Sequence, residues 1–270
     1  MIIEDRNKNL FLTMCLKYIQ ESDTSMEALK WVKEHQQTLV DSIWRHMEET
    51  GRTNYLDSDT NRDSLRTIGY DGRNLMSFIV AGEYLNSLIL ERIFANAKNE
   101  AALLLSGHSS SGKSYALSMN TTIHKLEEEA GVVIEHVFIT EGSISESVNQ
   151  LREKGYRDED ITIVHVYSDL LSSYKGACER FLHTGRATSI EYLEYHFPHY
   201  KGRVDFLEKT FPTVNRIYCD RGKIVTANEA RQWNYDITDE KRAAMLRYAI
   251  QFAADKALSD RDLISLIYFR

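Results

Sequence analysis

The sequence predicts an α/β fold, a parallel sheet flanked by helices, with a helical extension before it and further helices after it. Three observations carry this. From residue 101 onward, short apolar and β-branched runs alternate with amphipathic stretches, the pattern of a sheet covered on both faces. The first of these runs ends in a glycine-bracketed loop that opens a helix. The first hundred residues, in contrast, carry helical periodicity and no strand-like run.

Taken in order, residues 8–20 read as a helix through Leu10, Phe11, Met14, Leu16 and Tyr18. Thr24-Ser25-Met26-Glu27 is a capping box opening a second helix, whose apolar side is Leu29, Trp31, Val32 and Leu39; Thr50-Gly51 stops it. Residues 51–73 are rich in Asn, Asp and Arg and read as a long loop. A third helix spans about 75–98. Then come strand 101–105, helix 113–130, strand 132–140, helix 145–154, strand 161–167, helices 170–183 and 189–209, and strand 214–219. A short helix over 226–232 precedes closing helices over 238–257 and 260–268. Ser259-Asp260-Arg261-Asp262 caps the last. The expected organisation is an N-terminal helical extension (1–74) and a main domain (75–270) with a mobile cover over about 170–210.

Composition bounds the function. In 270 residues, 33 Lys and Arg oppose 40 Asp and Glu, a net charge of −7 that disfavours a nucleic-acid partner. Three cysteines, Cys15, Cys178 and Cys219, are too few for a disulfide framework or a four-thiolate zinc site, and fit a reducing cytoplasm. The N-terminus places acids before any apolar run, unlike a signal peptide, and no stretch approaches the roughly 18 apolar residues of a membrane span.

One motif carries chemistry. Gly107-His108-Ser109-Ser110-Ser111-Gly112-Lys113-Ser114 matches the phosphate-loop pattern G-x-x-x-x-G-K-[ST] between a strand and a helix. Its glycines permit the backbone turns that aim amides at a β-phosphate, and the following helix offers free N–H groups and the positive end of its dipole. Lys113 is expected to reach the β- and γ-phosphates of ATP or GTP, and Ser114 to ligate Mg²⁺. The plain alternative is a Gly-Ser turn with an incidental lysine. Ligands of such sheets lie at the carboxyl ends of the strands. Glu141, after the expected end of the second strand, is therefore a candidate proton acceptor or holder of magnesium's water shell. Glu135 shares its face deeper in the strand, and His136 points to the other face as a buried histidine. Arg180 and Arg186 are candidates to fold over a triphosphate, or else surface cations. Tyr192, Tyr195 and His199 form a stripe that either packs on a neighbouring helix or stacks on a base or sugar.

The loop, Glu141-Gly142-Ser143, the strand 161–167, Gly176-Ala177-Cys178-Glu179-Arg180, Gly185-Arg186 and Tyr218-Cys219-Asp220 together resemble the zeta-toxin family of P-loop kinases over about residues 75–225. The resemblance implies a nucleotide-kinase-like sheet with a helical lid over 170–210 and transfer of the ATP or GTP γ-phosphate to a hydroxyl of a small-molecule acceptor. Known acceptors in the family include nucleotide sugars and, in a related effector branch, a dinucleotide. It also implies an antitoxin-like protein partner, with Lys113 and Ser114 in the phosphate and Mg²⁺ roles, Glu141 in place of the family's proton-accepting aspartate, and Arg180 and Arg186 as lid arginines. The departures are glutamate for aspartate at 141, a His-Ser-Ser-Ser loop usually richer in Gly and Pro, and Arg221 where an asparagine is common. Three other readings compete. One is an ATPase or nucleotide switch with a protein partner. Another is an RNA or polynucleotide kinase using Arg203, Lys209, Arg216, Arg221 and Lys223. The third is a kinase fold kept only as a binding module.

Overall fold

In a computed structural model, which describes residues 23–97 and 101–268, six strands form one mixed, mostly parallel sheet with helices on both faces. The helix expected over 8–20 lies outside the described residues. Helix α1 (Asp23–Glu49) leads by a short connection to strand β1 (Tyr55–Asp57), helix α2 (Ser58–Asp63) and a 3-10 turn, and then to α3 (Leu75–Asn96). Strand β2 (Ala102–Ser106) is followed by α4 (Lys113–Met119), α5 (Thr121–Glu129), β3 (Val132–Glu135) and α6 (Glu141–Glu153). Strand β4 (Ile161–Tyr167) leads through α7 (Leu170–Thr184), α8 (Ile190–His196) and α9 (Arg203–Thr210) to β5 (Asn215–Asp220). Strand β6 (Lys223–Val225) and helices α10 (Ala227–Ala230), α11 (Asp239–Asp255) and α12 (Asp260–Ile267) close the chain.

The strand order is β1-β3-β2-β4-β5-β6; only β6 is antiparallel, returning from β5. From β2 the chain crosses to β3 on one side, and from β4 to β5 on the other. The crevice between the carboxyl ends of β2 and β4 is therefore the topological switch point, where such sheets place their ligands. The central strands β2 and β4 are buried along their whole length, as their unbroken apolar runs require.

Three expectations are corrected. The loop over 51–73 contains β1, which pairs with β3 at the sheet edge, and α2, whose N-cap Asp57 accepts from the Asp59 and Thr60 amides at 3.0 and 3.2 Å. The residues before 74 thus supply a strand of the sheet, and α1 packs on α3 in the same core through Val32, Leu39 and Trp44. The helix expected over 113–130 divides at Asn120, whose side chain caps α5 and also donates to the Gly222 carbonyl at 3.0 Å. The strand expected over 132–140 stops at Glu135. Beyond it Phe138 adopts φ +45°, and the carbonyls of Val137, Phe138 and Ile139 accept hydrogen bonds from Tyr200 and Arg203 instead of from a neighbouring strand.

Candidate functional site

The segment 107–112 turns tightly between β2 and α4. Gly107 has φ +151°, and a Cβ there would run into the Val166 carbonyl and the Ser111 hydroxyl. Gly112, at φ +89°, is the N-cap of α4. Ser110 is also left-handed, at φ +59°. The Ser110 and Ser111 hydroxyls are buried without a hydrogen-bond partner. His108 is buried against Phe197 and Tyr200, its Nδ1 3.0 Å from the Ser109 carbonyl and its Nε2 3.0 Å from the Ser168 carbonyl. Burial lowers its pKa to about 4, so the ring is neutral and donates to one of the two carbonyls.

Lys113 folds back along this turn, its Nζ 3.2 Å from the Gly107 carbonyl and 3.4 Å from that of His108. It is buried beside a cavity of about 110 Å³, large enough to admit water or a small ligand group. Ser109 and Ser110 also line this cavity, whereas Ser114 faces solvent on the first turn of α4. Burial lowers the Lys113 pKa; Glu135 and Asp59 oppose the shift.

Arg180 and Arg186 line the same cavity. Arg180 donates to the Thr188 hydroxyl at 2.8 Å, and the Nη1 atoms of both arginines stand 3.8 Å from Asp59 Oδ2. That spacing is an ion pair without a hydrogen bond. The Nε atoms of both and Nη1 of Arg186 are buried with no hydrogen-bond partner. The turn that carries Arg186 is held from the N-terminal half. The Ala187 amide donates to the Gly72 carbonyl at 2.9 Å, and Arg66 donates to the Thr184 carbonyl at 2.8 Å.

Of the two acids read on the second strand's face, the cavity takes the deeper one, Glu135, and not Glu141. Glu141 is exposed at the start of α6 and does not line the cavity; the early end of β3 places Glu135 there instead. Glu135 accepts a short hydrogen bond from the Tyr55 hydroxyl. Burial raises the Glu135 pKa, which Lys113 partly offsets. Asp57, Asp59 and Glu83 also line the cavity. Burial opposes ionisation of Asp59, yet Arg62, Arg180, Arg186 and Lys113 together hold its carboxyl well below the usual range. The capping pattern around Asp57 was the available signal for Asp57 and Asp59, hidden in a segment of loop-like composition, whereas Glu83 lies on the buried face of α3.

Of the aromatic stripe, Tyr192 lines the cavity, while Tyr195 and His199 face solvent; the packing comes from Leu193, Phe197 and Tyr200. Cys178 and Cys219 are buried and unpaired, their thiol pKa values pushed by burial up to about 12 and about 11, so neither is a ready nucleophile. Among the described residues, no three His, Cys, Asp or Glu side chains come together as metal ligands, and no helix is long and apolar enough to cross a membrane. No protein-family model matches the chain, and a search of curated proteins finds no match. Chemically, the cavity is lined by four cations, Arg62, Lys113, Arg180 and Arg186, the arginines with unfilled donors, interleaved with the carboxylates of Asp57, Asp59, Glu83 and Glu135. The cations suit an anion that brings several oxygens, and Glu135 suits a group that releases a proton.

Proposed function

We propose that this protein is a phosphotransferase that binds ATP or GTP with Mg²⁺ on residues 107–114 and passes the terminal phosphoryl to a hydroxyl held in the cavity. The observation that carries the reading is the convergence of Lys113, Arg180 and Arg186 on one cavity with arginine donors left unfilled. A transferring phosphoryl has the oxygens and charge to fill them. Lys113 would turn from its own loop carbonyls to the β- and γ-phosphates. Ser114, exposed one residue on, leaves its hydroxyl open to a Mg²⁺ carried by the nucleotide, which would spread charge on the phosphates.

In this reading Glu135 takes the acceptor's proton in place of Glu141. Its raised pKa brings it nearer to neutral pH, where a general base works best. The zeta-toxin likeness supports the reading through the loop, Arg180 and Arg186, and loses its support at Glu141. A polynucleotide acceptor has less behind it. Arg203 is fully buried on the Phe138 and Ile139 carbonyls, and Arg216 pairs with Glu208 at 3.3 Å, so neither extends a basic groove.

The test is γ-labelled ATP or GTP with Mg²⁺ and a pool of nucleotide sugars, dinucleotides and RNA. Label on one small molecule, absent with Lys113→Ala and Glu135→Gln but kept with Glu141→Gln, is the expected result. Label released only as inorganic phosphate would replace this reading with an ATPase or switch, and label on RNA would replace the acceptor class.

A further inference from the structure

The cavity also presents polar groups that the phosphotransfer reading leaves unused. Its floor is formed where α2 crosses α3. Ser58 and Arg62 stand one turn apart on α2, and Arg62 Nη2 lies 3.6 Å from Glu83 Oε1 on α3. Ser58 and Glu83 both line the cavity, and both are more than nine-tenths buried, at 7% and 6% exposure. The Ser58 hydroxyl and Glu83 Oε1 make no hydrogen bond. Native proteins rarely leave such groups unmet, because an unpaired buried polar group costs free energy. At the wall of a cavity such groups are met by water or by a ligand's own groups, which makes them contacts a ligand can use.

The chemistry of that ligand follows from what is already balanced. Glu83 has its charge answered by Arg62. His136 Nε2 lies 3.8 Å from Glu83, but burial lowers the ring's pKa to about 4 and leaves it uncharged. Asp57 is occupied by the Asp59 and Thr60 amides and the Thr60 hydroxyl, and Glu135 by Tyr55. Charge is met on this floor; hydrogen-bonding capacity is not. An anion would meet Glu83, and a cation would meet Arg62. A hydroxyl-rich neutral group both donates to Glu83 and exchanges a hydrogen bond with Ser58. Leu75 and Ile79 on the same wall suit the C–H face of a ring.

We infer that the Ser58–Glu83 floor is a binding subsite for an uncharged polyol, the hydroxyl-bearing part of the acceptor. Its role as acceptor site rests on the phosphotransfer reading; its ability to bind a polyol does not. Arg62 is a positioning residue here, fixing Glu83 from α2.

The test is ligand-observed saturation-transfer NMR with D-ribose, myo-inositol and glycerol at millimolar concentration, with cyclohexanol and ethanolamine as comparison probes and ATP binding measured separately. At least one polyol should bind the wild-type protein and Lys113→Ala. It should bind at least about fivefold more weakly to Glu83→Gln and to Ser58→Ala, the size expected for one lost hydrogen bond. Cyclohexanol, with the ring but a single hydroxyl, should not compete. Ser58→Ala carries the test by itself if Glu83→Gln does not melt cooperatively. No polyol binding, with Lys113-dependent ATP binding intact, overturns the subsite and leaves the phosphotransfer reading standing. Polyol binding unaffected by either variant overturns the location, and preferential, Glu83-dependent binding of ethanolamine overturns the uncharged class. Polyol binding as expected with no ATP binding supports the subsite and overturns the phosphotransfer reading.

Discussion

Lys113 is held where its charge is least welcome. Burial lowers its pKa from the ordinary 10.5, so the ammonium destabilises the ligand-free fold at any pH below its lowered value. Lys113→Met removes that penalty. It is expected to raise the melting temperature at neutral pH while abolishing ATP binding, measured by thermal melts and calorimetric titration; unchanged ATP affinity would remove the lysine from the site. Glu135 titrates in the opposite sense. Its pKa lies above the ordinary 4.5, so its contribution to folding is present while it is protonated and is lost as pH rises through the raised value. Glu135→Gln should therefore melt higher than wild type at neutral pH and equally near about pH 4. Phosphoryl transfer should fall about a hundredfold or more.

The turn between β2 and α4 depends on backbone geometry that one side chain would disturb. Gly107→Ala forces a Cβ against the Val166 carbonyl at φ +151° and is expected to cost roughly 1–3 kcal/mol in urea unfolding. Helix α2 depends on one cap. Asp57→Ala is expected to cost about 1 kcal/mol and to weaken the hold on Asp59 and Arg62, which ride on that helix. If the same substitution leaves urea stability unchanged, the cap is not what fixes the helix.

Across the whole molecule, the N-terminal half is part of the sheet and of the site. β1 extends the sheet beyond β3, α1 buries Trp44 and Val32 against α3, and Arg73 binds Asp262 at 3.0 and 2.6 Å, tying the start of α3 to the last helix. Removing residues 1–50 would bare the α1-facing side of α3. The truncated chain is expected to be insoluble or to lose cooperative unfolding; a stable, cooperatively melting truncate would show α1 to be an appendage.

Local signals carried the sheet's centre. The apolar runs of β2 and β4 are legible because strands buried on both faces need nothing else, and Gly107-to-Ser114 is legible because glycine and lysine recur there for backbone and charge reasons. The Ser259 cap of α12 is likewise a contact within four residues. Of the cavity's acids, Glu135 was legible as a residue of the right strand face but not as its end, and Asp57, Asp59 and Glu83 were not legible as cavity residues at all. β3 ends at Glu135, not beside Glu141, because Arg203 and Tyr200, more than sixty residues away in sequence, capture the carbonyls that would have continued the strand. Asp57, Asp59 and Glu83 reach the cavity because β1 pairs with β3 and α2 crosses α3. The sequence by itself determined the α/β alternation and the lysine-bearing turn, since both follow from periodicity and from single-residue conformational needs. Which carboxylates face that lysine was decided only by tertiary structure, because it depends on hydrogen bonds and strand pairings between segments that no local pattern connects.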